Sequence, residues 1–320
     1  MKALVFLEHH GGDLTKGSRG VLTKAATLGD VAGLLVGAAP LEALAAQAGT
    51  FGAATVYVAE DDSFDPPLPQ PRVDVLDEVV RLGDFDIVLF SNSVLAADVA
   101  AGLAARLDAG INWDLVDLAE QNGELVGKRL ALQDSVLVDV AWRSRLRLAL
   151  FRAGSFEATV TGGAPRVEAV SAPLREHSGR ARIVEREVQA NEGPSIESAE
   201  VIVAGGIGLG SAESFSLAED LAALLGGAVG ATRAAVYKGW YPHSAQIGQT
   251  GKTVSPNLYV ALGISGAVQH KVGMQNSKVI IAINKDSSAP VFEFSDLAVV
   301  GDVHTIVPRL IELVRAHQAG

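Results

Sequence analysis

Gln249, Thr250, Ser265, Gln269 and His270 are the side chains whose types and spacing could do chemistry. All are short or neutral hydrogen-bonding groups. They fall within QIGQTGKTVSPNLYVALGISGAVQHKVGMQNSKVIIAIN, residues 246–284. In that stretch two apolar runs, 258–264 and 278–284, read as strands around a turn and helix start at 265–277. A strand that gives way to Ser-Gly and a helix leaves several backbone N–H groups unpaired and aimed at one spot. Free donors and the positive end of a helix dipole favour an anion there. Neutral donors around such a spot suit a large, partly apolar cofactor with a phosphate end better than a metal or a small charged substrate.

A second glycine-rich turn lies upstream. AEVIVAGG (199–206) reads as a strand running into Gly205-Gly206-Ile207-Gly208-Leu209-Gly210-Ser211, with a helix to follow. Strand, glycine turn and helix is the arrangement for dinucleotide phosphates, although the G-x-G-x-x-G register puts Ser211 on the last glycine. No acidic residue ends the next strand to hold a ribose; Ala231 to Ala234 occupy that place. GQTGKT (248–253) is not a P-loop, because Gln246 stands where a glycine is required and Pro256 and Asn257 stop any helix. Arg233 is a lone cation in mostly apolar sequence, read either as a snorkelled surface side chain or as a ligand contact among ligand-directed loops.

The elements that must position these groups follow from the pattern. The chain has 320 residues, enough for two domains, with 48% hydrophobic and 20% charged residues. In the first half, strands at 3–8, 31–37, 55–60 and 86–92 alternate with helices near 17–28, 41–48, 72–82 and 95–108. That rhythm predicts a parallel sheet with helices on both faces. After Asn112 the runs at 125–132, 135–142, 145–152 and 156–160 follow closely, as in an antiparallel meander, and 181–188 reads as a last strand. The fold class expected is α/β, with an N-terminal parallel-sheet domain at 1–190, a linker at 191–198, and a Rossmann-like domain at 199–320. Asp302 suits the N-cap of a final helix, and Pro308 predicts a kink or a late start.

Other features narrow the function. A net charge of −11 argues against a nucleic-acid partner. The basic run 142–152 reads as a solvated strand face carrying Arg143, Arg145 and Arg147. There are no cysteines, so thiolate metal sites and thiol nucleophiles are excluded, and no metal-ligand spacing is found. His9 and His10 follow strand one, where α/β folds place ligands, but read more simply as exposed loop histidines. The apolar start is too short for a signal peptide or a membrane span, so a cytoplasmic protein without direct membrane insertion is expected.

Residues 199–315 resemble the FAD-binding C-terminal domain of the electron-transfer flavoprotein alpha subunit. LYVALGISGAVQHKVGMQNSKVIIAIN carries the resemblance nearly position for position, and TRAAVYKGWYP, QIGQTGKTVSP, NKDSSAPVFEFSD and VVGDV extend it. The resemblance implies a heterodimer with a beta subunit, one FAD held mostly by this chain, and no substrate of its own. Electrons would pass from a flavin dehydrogenase, such as an acyl-CoA dehydrogenase of fatty acid β-oxidation, to a quinone oxidoreductase. An electron-bifurcating subunit working with NADH, or a scaffold without flavin, are the alternatives. The resemblance puts Arg233 over the flavin, Thr250 at its N5 and His270 near its N1–C2=O edge, where they would tune the redox step. The contacts it implies are Ile207, Thr232, Arg233, Ile247, Gly248, Gln249, Thr250, Ser265, Gly266, Ala267, Val268, Gln269, His270, Asn284, Asp302 and Val303. Ser265 would face the phosphate, and Asn284, Asp302 and Val303 the adenosine. Four positions depart from the pattern. Ile207 replaces an arginine of the glycine turn, Thr232 stands where a serine often precedes the arginine, Tyr237 where an acid is common, and Trp240 where Phe or Tyr is usual.

Overall fold

A computed structural model describes residues 1–38, 40–132, 134–171, 173–185, 195–196 and 199–318. The chain divides into two compact units, 1–187 and 188–320. Of the stretch expected as a linker, only Ser195, Ile196, and no others are described, and Ile196 is buried in the core of the second unit.

The first unit runs β1 (Lys2–Leu7), a small hairpin of β2 (His9–His10) and β3 (Asp13–Leu14), α1 (Lys16–Ala26), β4 (Asp30–Gly37), α2 (Glu42–Thr50) and β5 (Thr55–Glu60). It continues with α3 (Pro69–Gly83), β6 (Ile87–Ser91), α4 (Val94–Leu107), β7 (Gly110–Gln121), β8 (Glu124–Ala131), β9 (Val136–Val140), β10 (Arg147–Phe151) and β11 (Arg166–Ala169). The sheet order is β11-β5-β4-β1-β6-β10-β7-β8-β9. Side chains alternate across it. Ala3, Val5 and Leu7 of β1 pack with α1 and α2 on one face, and Leu4 and Phe6 pack with α3 and α4 on the other. A strand buried on both faces must be apolar at every position, which is why β1 and β6 read as continuous hydrophobic runs. Each fully buried Leu or Phe stabilises the fold by about 2 kcal/mol. Thr15 and Ser93 cap α1 and α4 by accepting N–H bonds from Ser18 at 3.2 Å and Ala96 at 2.9 Å.

The meander β7-β8-β9 is antiparallel as expected, but β10 is not part of it. It inserts between β6 and β7, parallel to both. Only Arg147 of the three expected strand-face arginines lies in β10; Arg143 and Arg145 precede it. Phe156–Val160 is not a strand, because it crosses over α1, where the Thr159 N–H donates to Thr23 Oγ1 at 3.1 Å. Nor do residues 181–185 form a strand, and 186–188 lie outside the described residues. The edge position beside β5 goes instead to β11.

The second unit contains β12 (Val201–Gly205), α5 (Ser216–Leu224), β13 (Ala228–Thr232), α6 (Arg233–Tyr237), β14 (Gln246–Ile247), β15 (Leu258–Leu262), α7 (Val268–Lys271), β16 (Val279–Asn284), β17 (Leu297–Val300) and α8 (Val303–Gln318). All six strands are parallel, in the order β14-β13-β12-β15-β16-β17. This is the 3-2-1-4-5-6 order of a doubly wound dinucleotide fold. Helices α5 and α8 cover one face through Leu221, Val307 and Ile311. The other face is covered mainly by loops, through Ile247, Val254, Ile264, Met274 and Val291. Asp302 caps α8, its Oδ1 accepting the His304 N–H at 2.9 Å. The helix begins at Val303 and runs through Pro308, so the late start does not occur; the proline, sixth in the helix, cannot donate to the His304 carbonyl.

Candidate functional site

Every candidate residue follows the carboxyl end of a strand. Ile207 comes after β12, Arg233 after β13, Gly248–Thr250 after β14, Ser265–His270 after β15, and Asp302 and Val303 after β17; Thr232, Ile247 and Asn284 end their own strands. Because all six strands are parallel, these positions share one edge of the sheet, where doubly wound folds bind ligands.

Two of the loops are joined directly. The Gln249 N–H donates to Gln269 O at 2.7 Å, and His270 Nδ1 lies 3.1 Å from Ile247 O. The joint is tight: a Cβ on Gly248 would stand 2.6 Å from Gln269 O, and one on Gly273 would stand 2.4 Å from Gly248 N. Ser265–Val268 is held from the other side. Asn284 Nδ2 donates to Ile264 O at 2.9 Å, and the Val291 N–H donates to Ser265 O at 3.0 Å. Gly266 has φ +88°, and a Cβ there would stand 2.2 Å from Val291 N. Only glycine fits both constraints.

This bracing leaves donors open. Among the described residues, the N–H groups of Ser265, Gly266, Ala267, Val268 and Gln269 make no hydrogen bond within the protein. Ser265, Ala267, Val268 and Gln269 are exposed, so these donors face solvent or a ligand. Consecutive free N–H groups make an anion-binding concavity. The glycine turn after β12 does something different. Cβ atoms on Gly206 and Gly208 would stand 2.4 and 2.6 Å from Gly263 O, and the Gly208 N–H donates to that same oxygen at 2.9 Å. Those glycines let two loops pack backbone against backbone.

His270 is buried, and both its ring nitrogens are engaged within the protein. Ile247 O can only accept, so Nδ1 carries the hydrogen, and Nε2 accepts from Tyr259 Oη at 2.9 Å. Burial lowers the imidazole pKa to about 4, so the ring is neutral at pH 7. Burial likewise raises the Tyr259 phenol, which keeps its hydrogen for His270. Arg233 is exposed, with its guanidinium carbon 4.8 Å from the centre of the Tyr237 ring. Thr250 is exposed, and its hydroxyl accepts from Gln246 Nε2 at 3.1 Å. Ile207 is 49% exposed beyond the glycine turn.

Neighbouring residues support these, and sequence reasoning missed Tyr259 and His304 among them. Tyr259, the polar residue in an apolar strand, fixes His270; Tyr237 carries Arg233; and Gln246 underlies Thr250. His304 Nε2 lies 3.1 Å from Leu209 O and ties the glycine turn to α8. In the first unit, His9 and Glu8 line a cavity of about 400 Å³ at the ends of β1 and β4. His9 is half-buried there rather than exposed, and burial lowers its pKa. Arg72 in that cavity donates to the carbonyls of Phe64, Pro66 and Leu68, and Ser93 donates to Glu8. Among the described residues, no group of three metal-ligating side chains is gathered, and no helix is long and apolar enough to cross a membrane.

A doubly wound parallel sheet with an open N–H run and neutral hydrogen-bonding loops at its carboxyl edge defines a nucleotide-cofactor-binding protein. Residues 195–275 match the family model described as the electron transfer flavoprotein FAD-binding domain, and residues 3–189 match the electron transfer flavoprotein domain. The chain is 43% identical over 322 residues to the electron transfer flavoprotein subunit alpha of Mycobacterium tuberculosis, covering 99% of both chains. It is 41% identical over 318 residues to that of Mycobacterium leprae, again 99% of both. Protein FixB of Clostridium saccharobutylicum is 37% identical over 316 residues, 96% of this chain and 94% of that one. The chain belongs to the electron transfer flavoprotein alpha subunit family, and its cofactor is FAD.

Proposed function

We propose that the chain works as the alpha subunit of a heterodimeric, cytoplasmic electron carrier. It would accept electrons from a flavin dehydrogenase, such as an acyl-CoA dehydrogenase, and yield them to a quinone oxidoreductase. The observation that carries this reading is the free N–H run at Ser265–Gln269, braced by Gly266 and Asn284 beside the Thr250 loop. The residues fit FAD: the open amides suit its diphosphate, and the exposed donors around Thr250 suit the polar edge of its ring. FAD supplies the electron-accepting chemistry; the chain's own side chains bind, orient and tune.

Arg233, just after the β13 end that pairs with Ile247, offers a cation at the same edge. A cation or donor beside a ring that gains an electron stabilises the added charge, and about 1.4 kcal/mol of preference is tenfold in equilibrium. His270 acts differently from a free donor. Its nitrogens are taken, so it holds Ile247 and Tyr259 in place and keeps the two loops together.

The experiment is to produce the chain with its beta subunit and count flavin released on denaturation. One FAD attributable to this chain, lost when Gly266 is replaced by Val, supports the reading. A fully assembled, colourless heterodimer contradicts it and favours a scaffold, for which Ile207 in place of arginine is the motivation.

A further inference from the structure

Gln246 is a buried polar side chain lying beneath Thr250. It is 1% exposed. Its Nε2 donates to Thr250 Oγ1 at 3.1 Å, and its Oε1 is buried without a hydrogen-bond partner. The loop is closed down on it. Gln246 O accepts the Lys252 N–H at 2.8 Å, and a Cβ on Gly251 would stand 2.4 Å from Gln246 O and 3.0 Å from Gln246 Cγ. The amide is therefore boxed beneath an exposed threonine, and its one side-chain hydrogen bond is to that threonine.

A buried amide with an unpaired acceptor costs stability, whereas an apolar side chain of the same shape would not. Its single bond also has a directional consequence. A hydroxyl has one hydrogen and two acceptor sites. With Nε2 filling one acceptor site, the Thr250 hydrogen is left for a group outside the protein. A threonine with no such neighbour would be a free rotor, offering its hydrogen or its lone pairs equally.

We propose that Gln246 is a positioning residue that holds the Thr250 hydroxyl as a hydrogen-bond donor toward the flavin ring. This rests on Thr250 as a flavin contact. A donor aimed at the ring stabilises the negative charge of a single added electron, so the Gln246–Thr250 pair raises the potential of the first, one-electron step. Electrons come from the donor dehydrogenase and any proton from solvent; the pair transfers neither.

The test is spectroelectrochemical titration of FAD in the heterodimer, with thermal melting as a structural control. Gln246→Met is expected to lower the ratio of one-electron-reduced to oxidised binding about tenfold, or about 59 mV for a one-electron couple, without lowering the melting temperature. Gln246→Glu keeps the shape but removes the donor, and is expected to lower the potential at least as far. In a Thr250→Val background the effect of Gln246→Met disappears if it acts through Thr250. An unchanged or raised potential in Gln246→Met, or a shift that persists in the Thr250→Val background, overturns the inference. Should Thr250→Val alone leave both FAD affinity and potential unchanged, the contact itself is wrong. If Thr250→Val lowers the potential and Gln246→Met does not, only the positioning role falls.

Discussion

Acidification strains the junction between the two cofactor loops at His270. The imidazole is neutral in the folded protein, with its pKa lowered by burial from 6.5 to about 4. Between these values the unfolded chain binds a proton and the folded chain does not. The stabilising contribution is therefore fully present above about pH 6.5 and is lost as pH falls toward 4. At about 1.4 kcal/mol per unit, the full window amounts to about 3 kcal/mol. Geometry gives the cause: Nδ1 already donates to Ile247 O, and a proton on Nε2 would face a Tyr259 hydroxyl forced to turn its hydrogen away. The assay is urea unfolding of the wild type and His270→Gln at pH 7, 6 and 5, paired with an NMR titration of the His270 ring. His9 is also lowered by burial, but it is common to both proteins and cancels in the difference. The wild type should lose stability faster than the variant below pH 6.5, and the ring should stay neutral to about pH 4.5. A ring that titrates near 6.5, or equal slopes in the two proteins, would refute the reasoning.

Further outcomes follow from the same contacts. Gly266→Val should abolish FAD binding in assembled protein, because φ is +88° and a Cβ would meet Val291 N at 2.2 Å; fluorescence titration with FAD measures this. Arg106→Met should destabilise the first unit by about 1–3 kcal/mol in urea, because Asp74 keeps the Arg175 N–H at 2.8 Å and the Arg175 guanidinium at 3.9 Å. It leaves Asp74, whose side chain is 2% exposed, without the guanidinium 2.5 Å away. Ile207→Arg should tighten FAD binding or shift its potential, since an exposed cation would be added beside the glycine turn; no change in either would show the position to be indifferent.

Much of this was legible in the sequence because each signal had a local cause. Buried parallel strands must be apolar throughout, so β1, β4, β5 and β6 could be read directly, as could the loops that follow β14 and β15. The placement of β10 could not. Its insertion between β6 and β7 is a long-range choice, and the basic run preceding it looks like an ordinary exposed strand. The glycine turn after β12 could be read in existence, with its role left between phosphate binding and packing. Its glycines serve an approach to Gly263, and nothing in the spacing distinguishes that from an approach to phosphate. Tyr259, and the contact of Gln246 with Thr250, escaped notice for a related reason: each acts through a partner distant in the fold or beneath a loop, and neither belongs to a local chemical pattern.

The decisive measurement is hydrogen exchange of peptides spanning 264–270 in the heterodimer with and without FAD. The amides of Ser265–Gln269 should exchange rapidly without the cofactor, having no partner in the protein, and become strongly protected when it is bound. Equal protection in the two states would mean that these donors do not hold the cofactor.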